Sequence, residues 1–312
     1  MRKNYSYQLE PYQGPATRYT CPKCHKNRQF VRYIHVITKQ PLAEHVGRCN
    51  REQKCAYHYT PLQFLADQKI IFPLSKVVKF SKPTPTTPKT ISYIPLSLLK
   101  VTLQDYNGNH FVTYLNTHLG TRKTQELISK FYIGTSKHWP GATVFWQIDS
   151  QGRIRTGKIM LYDPLEGKRV KAPFNHISWV HQALKLNPFH LSQTLFGAHQ
   201  LIHAPMSKLI ALVESEKTAI IATALWPEFI WLATGSLNGL SPERCRPLKG
   251  KKVILFPDAG AYGLWQEKAE ELNNQLGIKI KVSNWLEEHV NQACLEQGAD
   301  LADCLSRKLY PD

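Results

Sequence analysis

Two sets of side chains in this sequence have the types and spacing for chemistry: thiols near the start and carboxylates near the end. Cys21 and Cys24 in CPKCHK, with Cys49 and Cys55 in GRCNREQKC, make two pairs separated by a segment of hairpin length. Such pairs hold one tetrahedral zinc at the tip of a β-ribbon. Four protein ligands leave no open position for catalysis, so the expected role of the ion is to fold the segment. The first pair has the specific C-x-x-C spacing; the second is wider, and His25 and His58 stand as alternative ligands. Disulfides would need an oxidising compartment that nothing in the sequence supports. Lys23, Lys26, Arg28, Arg32, Arg48, Arg51 and Lys54 surround these cysteines and interleave with Phe30, Tyr33 and Tyr57. Cations and aromatic faces on a rigid ribbon suit single-stranded nucleic acid, whose bases stack while its phosphates pair, although part of the aromatic set must form ribbon core. Cys245, Cys294 and Cys304 lack partners at ligand spacing and read as buried thiols.

The carboxylates begin where the apolar run LIALV gives way to Glu214, Ser215 and Glu216. Glu214 falls at the end of a buried strand, and Asp258 falls at an equivalent place after VILFP. In a parallel sheet, ligands and catalytic groups gather beyond the carboxyl ends of the strands. Asp300 and Asp303 in GADLADCL form a third acidic group that could fold back to the same edge. Carboxylates gathered there repel one another unless a divalent cation neutralises them. Magnesium, or manganese in its place, takes hard oxygen ligands and bridges phosphates. Glu216 reads differently, as a first-turn acid of a helix capped by Ser215 and favoured by the helix dipole. Asp258 alone would be an ordinary loop acid before Gly260 and Gly263; its equivalence to Glu214 is what points to metal.

The elements that must position these groups follow from periodicity. FSKPTPTTPKTIS, residues 80–92, reads as a semi-extended linker between a zinc ribbon over 1–79 and the rest. VTLQDYNGNHFVTYL reads as a hairpin around Asn107-Gly108, and TRKTQELISKFYIG as a helix. ATVFWQIDSQGRIRTGKIMLYD reads as two strands joined at Asp149-Ser150-Gln151-Gly152, which makes residues 93–204 an α+β domain. Over 205–312, LIALV, FIWLAT, KVILF and IKIKV alternate with helices from Ser215 to Trp226 and from Tyr262 to Leu276. That order implies an α/β domain with a Rossmann-like parallel sheet, so the chain is multidomain.

The net charge of +17 is uneven: +13 over residues 1–100, +6 over 101–200 and −2 over 201–312. A basic front favours polyanions, nucleic acid ahead of an anionic membrane. The sequence has no run of about twenty apolar residues and no apolar start, so it reads as soluble and cytoplasmic.

These residues resemble a known family. VESEKTA looks like the glutamate motif of the TOPRIM domain, ILFPDAGAYG looks like its DxDxxG motif, and GADLADCL is similar to the GKDxND stretch of many phage and plasmid primases. TOPRIM domains share the strand and helix order above and bind magnesium for phosphoryl transfer in primases, topoisomerases and some nucleases. A zinc ribbon before a primase core and a TOPRIM domain resembles the layout of bacterial primases. GRCNREQKCAYHYTP and FIWLATGSLNGL also resemble zinc-ribbon TOPRIM proteins of bacterial mobile elements. The resemblance implies that Glu214 is the TOPRIM glutamate, as metal ligand or general acid/base, and Asp258 the first metal-binding aspartate. The second aspartate of DxD falls on Gly260, leaving Asp300 or Asp303 to supply the ligand, or the site weakened or lost. FWQIDSQGRIRTGKIMLYD resembles the strand pair of primase cores whose basic residues face template and nucleotide. It implies Arg155 and Lys158 as phosphate or nucleotide contacts, whereas Lys168 and Arg169 read as solvated turn charges. The expected function is a primase-like enzyme of mobile-element replication, using single-stranded DNA and nucleotides and working with a helicase or replication protein. A DNA-binding accessory protein with a degenerate TOPRIM site and a TOPRIM nuclease are the alternatives.

Overall fold

The computed structural model describes residues 6–51, 55–68, 90–291 and 299–304. Lys54, Cys294 and most of the expected linker, residues 80–89, lie outside the described residues. The chain divides into two compact units, Met1–Thr86 and Thr87–Asp312.

In the front unit, β1 (Tyr7–Leu9), β2 (Phe30–His35), β3 (Gly47–Cys49) and β4 (His58–Tyr59) pair antiparallel in chain order. Phe30, fully buried, packs with Cys21, Cys49 and Cys55 in a small cluster of the kind that a bound metal completes. The short helix α1 (Pro61–Asp67) starts at a capping box in which the Thr60 hydroxyl accepts from the Gln63 N–H and the Gln63 side chain accepts from the Thr60 N–H.

The back unit holds two sheets. One is antiparallel, β5 (Gly134–Ser136), β6 (Ala142–Ile148), β7 (Ile154–Met160) and β8 (Ile177–Trp179), and β6 turns into β7 through the expected Asp149 to Gly152 turn. Ahead of it run α2 (Leu96–Lys100), α3 (His110–Leu119) and α4 (Thr121–Phe131). Helix α3 replaces the hairpin expected around Asn107-Gly108. The Asn-Gly pair forms a 3-10 turn, Tyr106–Gly108, and the following Asn109 caps α3 by accepting from the Val112 N–H. Phe111, Val112 and Leu115 then bury one helical face, so period 3.6 prevails over the local turn signal.

The second sheet is parallel, as expected, in the order β10 (Phe229–Ala233), β9 (Leu209–Val213), β11 (Lys252–Leu255), β12 (Ile280–Val282). Three further short helices flank these strands: α5 (Val180–Ala183) follows β8, α7 (Pro242–Cys245) precedes β11 and α9 (Trp285–His289) follows β12. Between the strands, α6 (Glu216–Leu225) is capped by the Ser215 hydroxyl. Helix α8 (Tyr262–Leu276) ends at Gly277 in the left-handed conformation, as the sequence suggests. A buried cluster runs from Phe111, Leu127 and Phe131 through Phe145 and Met160 to Ala211, Ile220 and Trp231, so α3, α4 and both sheets share one core.

Candidate metal centres

The sulfurs of Cys21, Cys24, Cys49 and Cys55 lie within 4.8 Å of one another, with Cys21 to Cys55 at 3.7 Å and Cys24 to Cys49 at 4.0 Å. Four sulfurs about 2.3 Å from one zinc stand about 3.8 Å apart, so the cluster fits a tetrahedral zinc. Three cysteines are buried, and turns place them: the Cys21 carbonyl accepts from the His25 N–H, and the Arg51 N–H donates to the Cys49 sulfur. The backbone N–H of Lys26 draws the Cys24 thiol down to about 6, whereas burial pushes the Cys49 thiol up to about 12. The alternative ligands fall away. His25 is exposed and outside the cluster, and the His58 ring hydrogen-bonds the Tyr33 hydroxyl at 2.9 Å and stacks on its ring. The zinc here is structural: all four positions are filled by protein.

Around this cluster Lys23, Lys26 and Arg28 are exposed, whereas Arg32, Arg48 and Arg51 are half-buried. Arg32 lies 3.8 Å over the Tyr19 ring and 3.7 Å from Glu44, so part of the basic set is used in holding the ribbon.

The acids meet at the other end of the chain. Strand order reverses between β9 and β11, since β10 lies on one side of β9 and the chain then crosses to the other. Leu212 pairs with Leu255, so Glu214 and Asp258, just beyond them, leave the sheet at the same edge and flank the switch point. The Ala259 N–H donates to the Ala299 carbonyl at 2.9 Å, which brings Asp300 and Asp303 to that edge. Burial pushes the Asp258 carboxyl well above the ordinary carboxylate range, and the charges of Glu214, Asp300 and Asp303 push it further. Among the described residues only the four cysteines gather as tightly as a preformed ion cage.

Two lysines balance this edge. Lys217 stands 3.2 Å from Asp303 and 3.7 Å from Asp300, and the Thr218 hydroxyl donates to Asp300 at 2.8 Å. Burial opposes the Lys217 charge, and the two aspartates more than offset it, so its pKa rises. Lys158, on β7, reaches Glu216 at 2.9 and 3.1 Å; Glu216 is 2 % exposed. Glu216 is thus more than a first-turn acid: it anchors α6 to the antiparallel sheet. Arg155 donates to Asp149 at 2.7 Å and lies over Tyr93, so the charges of both expected phosphate contacts are met within the protein. Lys168 is exposed and pairs with Glu166, Cys245 is buried and Cys304 half-buried. Gly260 has φ 79°, and its N–H donates to Glu287 of α9 at 3.0 Å. Sequence reasoning missed Lys217, although it adjoins the acids in VESEK, and Glu287, for which the sequence carries no local signal.

Among the described residues no helix is long and apolar enough to cross a membrane. No curated protein matches the chain. In solved structures it is similar to the primase fragment of the bacteriophage T7 primase-helicase, at 14% identity over 94% of this chain and 95% of that one, TM-score 0.40. It is also similar to the Escherichia coli primase catalytic core, at 12% identity over 69% and 82%, TM-score 0.42. The Aquifex aeolicus primase zinc-binding and RNA polymerase domains match at 12% over 97% and 79%, TM-score 0.40. Residues 109–259 match the model of a domain of unknown function, DUF6371. Residues 5–70, which contain the four cysteines, match the zinc beta-ribbon finger model, the assignment to which the cluster geometry had already led.

Proposed function

We propose that this chain is a primase-like protein of mobile-element replication that binds single-stranded DNA and joins nucleotides with magnesium or manganese, its last third acting as a TOPRIM domain. The observation that carries the reading is the convergence of Glu214 and Asp258 at the switch point, with an Asp258 carboxyl whose raised pKa a divalent cation would relieve. Glu214 and Asp258 would hold that ion, with Asp300 or Asp303 replacing the carboxylate that Gly260 lacks. When bound, the ion supplies charge neutralisation to phosphate oxygens. The chain's own residues do the positioning: Lys217 and Thr218 hold the Asp300 turn against α6, and the Lys158 to Glu216 pair fixes where α6 begins. Arg155 and Lys158 serve as supports of the sheet in this reading. Lys23, Lys26 and Arg28 track the DNA phosphates, and a helicase or replication protein is the partner of such an activity.

Primer synthesis on single-stranded DNA with labelled nucleotides tests this. Short products that vanish in Glu214→Ala and in Asp258→Ala sustain it. No product from a folded, zinc-loaded, DNA-binding protein would move the assignment to an accessory DNA-binding role. That second reading is favoured by Gly260, whose N–H is met by Glu287, and by the fixed charge of Lys217 on Asp300 and Asp303. Cleavage of DNA without nucleotides, dependent on the same two acids, would identify a nuclease instead.

A further inference from the structure

The antiparallel sheet has a second face that the proposed reaction does not use. Alternation along β6 and β7 sends Phe145 and Met160 into the shared core and Lys158 to Glu216, whereas Val144, Trp146 and Ile159 face the opposite way. On that opposite face lies a cavity of about 770 Å³, floored by Val144, Trp146 and Ile159. Its size falls in the range of small-molecule pockets, roughly 300–1,000 Å³. Asp105, Lys137 and Trp139 line its rim. Asp105 is held at φ 57°, a conformation that costs a non-glycine residue about 1 kcal/mol, and its carboxylate does not cap the turn it begins. Trp139 is fixed edge-on between His138, at 4.3 Å, and His176, at 5.1 Å.

A ligand matched to this lining has a flat ring for Trp139 and the apolar floor, an N–H edge for the Asp105 carboxylate, and an anion for the exposed Lys137 ammonium. Nucleotides combine all three. We infer that the cavity binds a nucleotide, with its base against Trp139, its base N–H groups toward Asp105 and its phosphate at Lys137. The nucleotide is either free or one unit of a single strand, since both present the same chemistry. The inference does not rest on the nucleotidyl-transfer reading, because the acids lie beyond the other face of this sheet.

Equilibrium binding on the full zinc-loaded chain, with no magnesium or manganese added, tests it. The probes are adenosine and guanosine 5′-monophosphate and a short single-stranded oligonucleotide. The expected result is saturable binding that weakens at least about tenfold in Trp139→Ala and in Lys137→Glu and is unchanged when Glu214→Ala and Asp258→Ala are combined. Lys137 is exposed, so Lys137→Glu keeps the fold even if Trp139→Ala does not. Loss of monophosphate binding identifies a free nucleotide; loss confined to the oligonucleotide identifies a strand. No monophosphate binding, together with oligonucleotide binding unmoved by both variants, would overturn the inference. Monophosphate binding abolished by the Glu214 and Asp258 changes would overturn it as well.

Discussion

The Lys158 and Glu216 side chains are 11 % and 2 % exposed, so neither charge can turn to water if the other is removed. Breaking such a pair costs about 3–5 kcal/mol, whereas replacing both partners with apolar residues is often neutral. Lys158→Met alone should therefore lower unfolding stability by that amount, and Lys158→Met with Glu216→Leu should recover most of it, as measured by denaturant titration. Asp258 gives a pH signature. A carboxyl whose pKa is raised in the folded state keeps a proton there that the unfolded chain releases. Its contribution is therefore full below the ordinary carboxylate range and is lost as pH rises through the raised value. The thermal midpoint of the back unit should fall with pH across that window in the wild type and stay flatter, and higher at neutral pH, in Asp258→Asn. Added magnesium should raise the wild-type midpoint and leave the variant unmoved. A variant less stable than wild type at neutral pH without magnesium would contradict this account.

At the scale of elements, α3 depends on Asn109, which is fully buried. Its side chain accepts from the Val112 N–H and the Thr143 hydroxyl and donates to the Gly134 carbonyl. Asn109→Ala removes the cap and strands those partners, so an unfolding measurement should show a loss of at least about 2 kcal/mol. This element was also the one misread from sequence. Asn107-Gly108 carries a strong hairpin signal, but the pairing partners that would close a hairpin are absent, and the buried role of Asn109 comes from residues more than twenty positions away. The parallel strands were legible because LIALV, FIWLAT and KVILF are short apolar runs, IKIKV alternates, and helical stretches separate them. Glu214 and Asp258 were legible with them, since a strand end locates them. The pairing of Lys158 with Glu216 was not, because the two lie 58 residues apart along the chain. The Cys49 and Cys55 pair was open to histidine substitutes until the fold showed His58 bound to Tyr33.

At the scale of the molecule, the two units depend on different things. Elemental analysis should find one zinc per chain, lost on Cys21→Ser. Chelation should unfold the front unit while the back unit, whose core needs no metal, keeps its own transition. DNA affinity should fall steeply with salt, and alanine at Lys23, Lys26 and Arg28, all exposed, should flatten that slope. An affinity insensitive to salt would remove the ribbon from the binding surface. The core that joins α3 and α4 to both sheets has a consequence for ancestry. A genetic exchange joining a new front piece near residue 86 inherits an intact back unit, whereas a crossover near residue 204 splits Phe131, Phe145 and Phe196 from Ile220 and Trp231 and delivers two halves that each lack a hydrophobic partner. Shuffling among relatives should thus have traded ribbons freely and passed on residues 87–312 as a single heritable block.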